Sequence, residues 1–116
     1  MSDQQTTVAE LRERVRQFVA AREWQIFHAP KNLTMALSIE AAELMEHFQW
    51  ITAEASRQIG EDPDKLQAVS EELADVVAYA FAIANELQID ISSSMQAKMI
   101  KNEAKYPADR YQGRFE

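Results

Sequence analysis

Four acidic residues in this chain are spaced so that together they suit a single cation site. Glu40 and Glu43 are three residues apart, and so are Glu72 and Asp75. Side chains at that spacing on a helix are neighbours on one face, with β-carbons roughly 5–6 Å apart. On a helical wheel Glu40 falls between Leu33, Leu44, His47 and Ile51, close to the middle of an apolar stripe where another leucine would be expected. Glu72 and Asp75 fall beside Tyr79, at the border of an apolar arc that holds Val69, Val76 and Ile83. Both pairs can therefore face inward. Two like charges ~5.5 Å apart repel by about 3 kcal/mol at an effective dielectric constant of 20, and burial adds a desolvation cost to each. A hard divalent cation offsets both. Carboxylate oxygens without thiolate or clustered imidazole suit magnesium or manganese rather than zinc or copper.

The simpler reading of one acidic pair is a solvated helix face. Glu40 inside the stripe, and a second pair at the same spacing, favour the ion site. Carboxylate bundles that hold redox iron carry Glu-x-x-His on two helices. Here Glu43 is followed three residues on by Glu46, and Glu72 by Asp75. An all-oxygen set points instead to magnesium chemistry on phosphates.

Positive charge gathers further along the chain. Lys98, Asn102 and Lys105 stand at i, i+4 and i+7, with Lys101 alongside. Ammonium groups suit phosphate oxygens and an amide suits a sugar or base edge, although a lysine-rich last turn also complements the helix dipole. Trp24, Phe27, His28, Trp50 and Tyr79 are candidates for stacking a nucleobase. Trp24 and Trp50 sit at helix ends, where bundle-mouth pockets form, whereas Phe18, Phe48 and Phe81 read as core. His28 and His47 are not assigned as metal ligands.

The elements that must position these residues are helices. The chain has 116 residues, only two glycines and three prolines, and 47% apolar residues, which fits one domain built from long helices and short loops. Thr7-Val-Ala-Glu10 has the pattern of a capping box, and Leu11, Val15, Phe18, Val19 and Arg22 follow at helical spacing to about residue 24. Ile26 to Pro30 reads as a connection, after which a second helix runs from Asn32 to about Ile51. Asp62-Pro63-Asp64 supplies a cap, a first-position proline and a dipole-compensating acid for a third helix reaching about Leu87. Its uncharged run from Val76 to Ala84 is too short to span a bilayer but suits a central bundle helix. Asp90 caps a fourth helix ending at Tyr106-Pro107, and the tail from Ala108 to Glu116 reads as irregular. The expected fold class is all-α, a four-helix antiparallel bundle.

Composition narrows the partners. A net charge of −7 disfavours nucleic acid and anionic membrane alike. The absence of cysteine excludes disulfides, thiolate metal sites and cysteine nucleophiles. The first ten residues carry no basic and apolar export signal, so a cytoplasmic location is expected.

The motifs in their order resemble a known family. Glu40-x-x-Glu43 followed by Glu72-x-x-Asp75 is similar to the defining pattern of the MazG-like all-α nucleoside triphosphate pyrophosphohydrolases. Trp24 to Leu33 (WQIFHAPKNL), Glu43 to Trp50 (ELMEHFQW), Glu72 to Val76 (ELADV) and Lys105-Tyr106-Pro107 resemble the dCTP pyrophosphatase branch, over roughly residues 8–107. The resemblance implies magnesium-dependent hydrolysis of a deoxynucleoside triphosphate between its α- and β-phosphates. It implies that Glu40, Glu43, Glu72 and Asp75 hold metal, and that Trp24, Trp50, Tyr79, Lys98 and Asn102 contact the nucleotide, with His28 in the same substrate set. Glu40 or Glu43 is placed to take a proton from the attacking water. The resemblance also implies a homodimer or homotetramer, which would help a bundle of modest core size. Two other readings stand beside it: the same chemistry on dUTP or non-canonical purine triphosphates, and a non-catalytic acidic helical interaction module.

Overall fold

The computed structural model of the chain describes residues 1–115. Six α-helices follow in the order α1 (Val8–Ala21), α2 (Pro30–Glu46), α3 (Ala53–Ser56), α4 (Pro63–Leu87), α5 (Ile91–Lys105) and α6 (Ala108–Tyr111). Short 3-10 turns, Trp24–Phe27 and Ile59–Glu61, lie between α1 and α2 and between α3 and α4. No strand occurs among the described residues.

Local chemistry sets most of the helix starts. The Thr7 hydroxyl accepts from the Glu10 N–H at 3.1 Å, and one Asp62 oxygen accepts from the N–H groups of Asp64 and Lys65 at 3.1 and 3.3 Å. Asp90 accepts from the Ser93 N–H at 2.9 Å. Each cap satisfies amides that the first helical turn leaves without a partner. α2 has no such side chain and starts on Pro30, whose fixed φ suits the first helical position.

The ends depart from the sequence reading. α1 stops at Ala21 rather than near residue 24, because Glu23 takes a left-handed φ of 54° and turns the chain into the 3-10 segment. α2 begins at Pro30 rather than Asn32 and stops at Glu46, so Phe48 to Ile51 lie beyond it. The polar stretch before α4 contains the one-turn α3, and the tail read as irregular contains α6.

Packing centres on α4. α2 lies along it in the most extensive pairing of the fold, and α1 covers part of its C-terminal half. Leu33, Val19, Ala82 and Ala84 are the buried apolar residues, with Leu33 only 2% exposed. Small residues on α4 let α1 approach closely. α5 lies along no other helix beyond glancing contact. The chain is accordingly extended, with a radius of gyration of 17.1 Å against about 13 Å for a compact chain of this length. Phe18, read as core from its spacing, is 49% exposed and meets Trp24 edge to face; Phe48 and Phe81 are half-buried.

Leu33 is the largest fully buried side chain among the described residues, in the first turn of the helix that pairs most extensively with α4. Leu33→Ala is therefore expected to lower the unfolding free energy by about 3 kcal/mol. Urea denaturation followed by circular dichroism measures this, and a loss below about 1 kcal/mol would contradict the burial of Leu33.

Candidate metal and nucleotide site

The α2–α4 seam carries its polar groups in the middle of an apolar surface. On α2 the half-buried or buried residues include Leu33, Leu37, Glu40, Glu43, Leu44 and, past the helix end, Phe48. On α4 they include Val69, Glu72, Val76, Tyr79 and Ile83. The periodicity that turns the leucines and valines into the seam carries Glu40, Glu43 and Glu72 with them.

These three carboxylates converge. One oxygen from each of Glu40, Glu43 and Glu72 can be chosen so that all lie within 4.8 Å of one another, and all three residues are half-buried. Glu40 Oε2 and Glu72 Oε2 are buried without any hydrogen-bond partner. Acceptors left unpaired in a seam are costly, and here they point at each other's charge. Asp75 stays exposed on the flank, yet its charge is felt at both glutamates.

The titration behaviour follows from this crowding. Burial, with the neighbouring Glu43 and then Asp75, pushes the Glu40 carboxyl up to about 7 from an ordinary 4.5. Burial and the Glu43 charge also raise Glu72. No lysine or arginine contributes to either shift. The one ion pair among the described residues joins Arg16 and Glu13 on α1. An oxygen-only set, negative in excess, with orphaned buried oxygens, fits a hard divalent cation.

The remaining residues singled out from sequence are dispersed. Tyr79 stands half-buried one turn beyond Asp75 on α4. Trp24 packs against Phe18 with ring centroids 5.7 Å apart. His28 is half-buried and closes the 3-10 turn by donating its N–H to the Gln25 carbonyl at 3.1 Å. Trp50 is 86% exposed in the turn after α2. Lys98 is exposed and Asn102 half-buried on α5, and within one chain neither hydrogen-bonds nor ion-pairs with the carboxylates.

A small cavity of about 50 Å³ opens where α1, the 3-10 turn and α4 meet, lined by Val15, Arg16, Val19, Gln25, His28, Ala82, Asn85 and Glu86. Sequence reasoning singled out His28 but missed Gln25 and Asn85. Asn85 left a trace, since it is the polar residue that ends the uncharged run of α4. Asp75 and Ala82 are seven residues apart and so fall on one line of α4, about 10 Å apart along the axis.

Comparison with known proteins places the fold. A model described as MazG-like matches residues 35–114, a range containing all four carboxylates. The chain belongs to the MazG-like family. It is 38% identical over 102 residues to dCTP pyrophosphatase 1 of Homo sapiens, covering 88% of this chain and 60% of that protein. Against dCTP pyrophosphatase 1 of Rattus norvegicus it is 37% identical over 108 residues, covering 92% and 63%. The chain thus spans about three fifths of the length of the curated relatives it matches. A crystal structure of a pyrophosphatase from Archaeoglobus fulgidus superposes with a TM-score of 0.80 at 35% identity, covering 92% of this chain and 98% of that one.

The crowded carboxylates set a pH dependence for the metal-free protein. Unfolded, Glu40 titrates near 4.5; folded, near 7. Between those values the folded chain holds a proton that the unfolded chain has released, so the stability present at low pH is lost as pH rises through 7. In chelator, the melting temperature should fall as pH goes from 5 to 8, and Glu40→Gln should flatten the slope. Calorimetry at several pH values decides; a melting temperature that rises over this range would contradict it.

Proposed function

We propose that this MazG-like chain is a nucleoside triphosphate pyrophosphohydrolase that converts dCTP, or a modified dCTP, to the monophosphate and pyrophosphate. The convergence of Glu40, Glu43 and Glu72 within 4.8 Å, with two buried oxygens lacking partners, carries the reading. The dCTP pyrophosphatases among its relatives support the choice of base. The activity fits removal of unwanted nucleotides from a cytoplasmic pool, performed by one domain centred on about residues 8–107.

Glu40, Glu43, Glu72 and Asp75 would hold magnesium, with manganese able to replace it. When bound, the cation neutralises phosphate oxygens and acidifies a coordinated water. Glu40 or Glu43 accepts the proton of the attacking water at an Oε atom, as the new oxygen bond forms at the α-phosphorus. The bond from the α-phosphorus to the oxygen bridging it to the β-phosphorus breaks, and pyrophosphate leaves with that oxygen and the electron pair. With the phosphates at the seam, the line from Asp75 past Tyr79 to Ala82 leads the nucleoside towards the His28 cavity, next to Trp24. Trp50 remains available to close over the base.

Purified protein with magnesium should convert dCTP to dCMP and pyrophosphate, read by anion-exchange chromatography. Glu40→Gln should slow this at least ~100-fold while leaving the helical spectrum intact. Turnover of dUTP or a purine triphosphate in place of dCTP would keep the chemistry and overturn the base. No pyrophosphate from any triphosphate would reject the enzyme and favour an acidic interaction module.

The reading also includes self-association as a homodimer or homotetramer. Met95, Met99 and Ile100 are 62%, 50% and 57% exposed on a helix of 15 residues that lies along no other helix. A second copy would cover this face, and it would bring the Lys98 and Asn102 of one copy towards the phosphates held by another. Light scattering should give a mass that is a multiple of 13.3 kDa. A fully active monomer would refute self-association as a requirement.

A further inference from the structure

Every side-chain hydrogen bond among the described residues joins positions no more than five apart, with one exception. Arg12 Nε donates to Asn85 Oδ1 at 3.1 Å, and Asn85 Nδ2 donates to the Arg12 carbonyl at 3.1 Å, across 73 residues of sequence. Both side chains are half-buried. An amide supplies a donor and an acceptor at once, and here both are spent on one partner residue. The buried apolar residues of the two helices are Val19 on α1 and the small Ala82 and Ala84 on α4, which offer no directional contact of their own. A two-way bond with strict angular requirements fixes both spacing and axial position where such packing does not.

This bond stands on the wall of the small cavity. Arg12, Val15, Arg16 and Val19 fall at i, i+3, i+4 and i+7 on one face of α1, so the residue that is clamped and the three that line the cavity share that face. The opposite wall is Ala82, Glu86 and Asn85 itself. Any movement of α1 relative to α4 changes the cavity width directly. At about 50 Å³, well below the ~300 Å³ where pockets for drug-sized ligands begin, the cavity is small enough that a slight change in its width alters what can enter it.

We propose that Asn85 is a positioning residue for base selectivity: by clamping Arg12 in both directions it holds α1 and α4 at the spacing that admits a single-ring base and excludes a purine. The proposal rests on the nucleotide reading above. Asn85 lies ten residues beyond Asp75 on α4, about 15 Å along the axis, so it acts on where the base sits and not on the reacting phosphorus.

Asn85→Ala frees α1 and leaves the Arg12 Nε donor without its partner. The KM for dCTP should rise 5- to 20-fold with kcat within twofold. The preference for dCTP over dATP in kcat/KM should fall at least fivefold, and the magnesium concentration for half-maximal rate should stay unchanged. The Kd of dCMP, measured by calorimetry without metal, should rise in parallel with KM. Asn85→Asp keeps the acceptor for Arg12 and should recover part of the selectivity, which guards against a variant that fails to fold. An unchanged preference with only a lower melting temperature, or an equal loss of kcat on every substrate, would overturn the proposal and leave Asn85 a structural tie. A wild-type protein that turns over no triphosphate would instead remove the nucleotide reading, and the selectivity role with it.

Discussion

Three carboxylates occupy the seam between α2 and α4, a place where helix packing alone would install leucines, and the rest of the structure is arranged around that conflict. The seam is the largest helix pairing in the fold, so the same contact that holds the chain together forces Glu40, Glu43 and Glu72 into proximity. Like charges at this separation repel by a few kcal/mol and lose hydration besides. A fold selected for stability alone would remove them. The metal-free chain accommodates them by retaining a proton at Glu40 up to about pH 7, and a divalent cation would displace that proton by supplying the missing positive charge. Protonation and metal binding are competing answers to one electrostatic demand.

The thin core belongs to the same account. Among the described residues four apolar side chains are buried, α5 lies along no other helix, and many large apolar side chains stay exposed. The carboxylate seam removes apolar area that α2 and α4 would otherwise bury, while the cationic residues that would balance a polyphosphate ride on the unpacked helix. A face carrying Met95, Met99 and Ile100 next to Lys98 and Asn102 would settle packing and charge on one surface of a second copy.

What was legible in the sequence is local or periodic. Thr7, Asp62 and Asp90 announce the helix starts because a cap bonds to amides two or three residues away. Glu40 stands out because an acid inside a leucine stripe breaks a period that needs no tertiary information. The helix ends were harder. Glu23 and the residues after Glu46 leave the helix through backbone turns without a glycine or proline to mark them. Phe18 shows the limit of periodicity, which identifies an apolar face but not whether anything in the same chain covers it. Asn85 lay further out of reach, since its partner is 73 residues distant and an asparagine in a last helical turn reads as ordinary capping chemistry.

The two polar devices on α4 divide the labour along one helix. Near its middle, Glu72 meets the carboxylates of α2, with Asp75 on the flank; near its end, Asn85 meets α1. A rigid helix links them at a fixed separation of about 15–20 Å, because ten to thirteen residues at 1.5 Å each admit little variation. A nucleotide bridges such a pair of sites naturally, with its charge at one end and its base at the other. Small changes where α1 rests on α4 can then alter which base is accepted without touching the carboxylates. Conversely, changes at the carboxylates alter turnover without retuning the cavity. On the nucleotide reading, the separation would let charge and base be handled at two different helix contacts of α4.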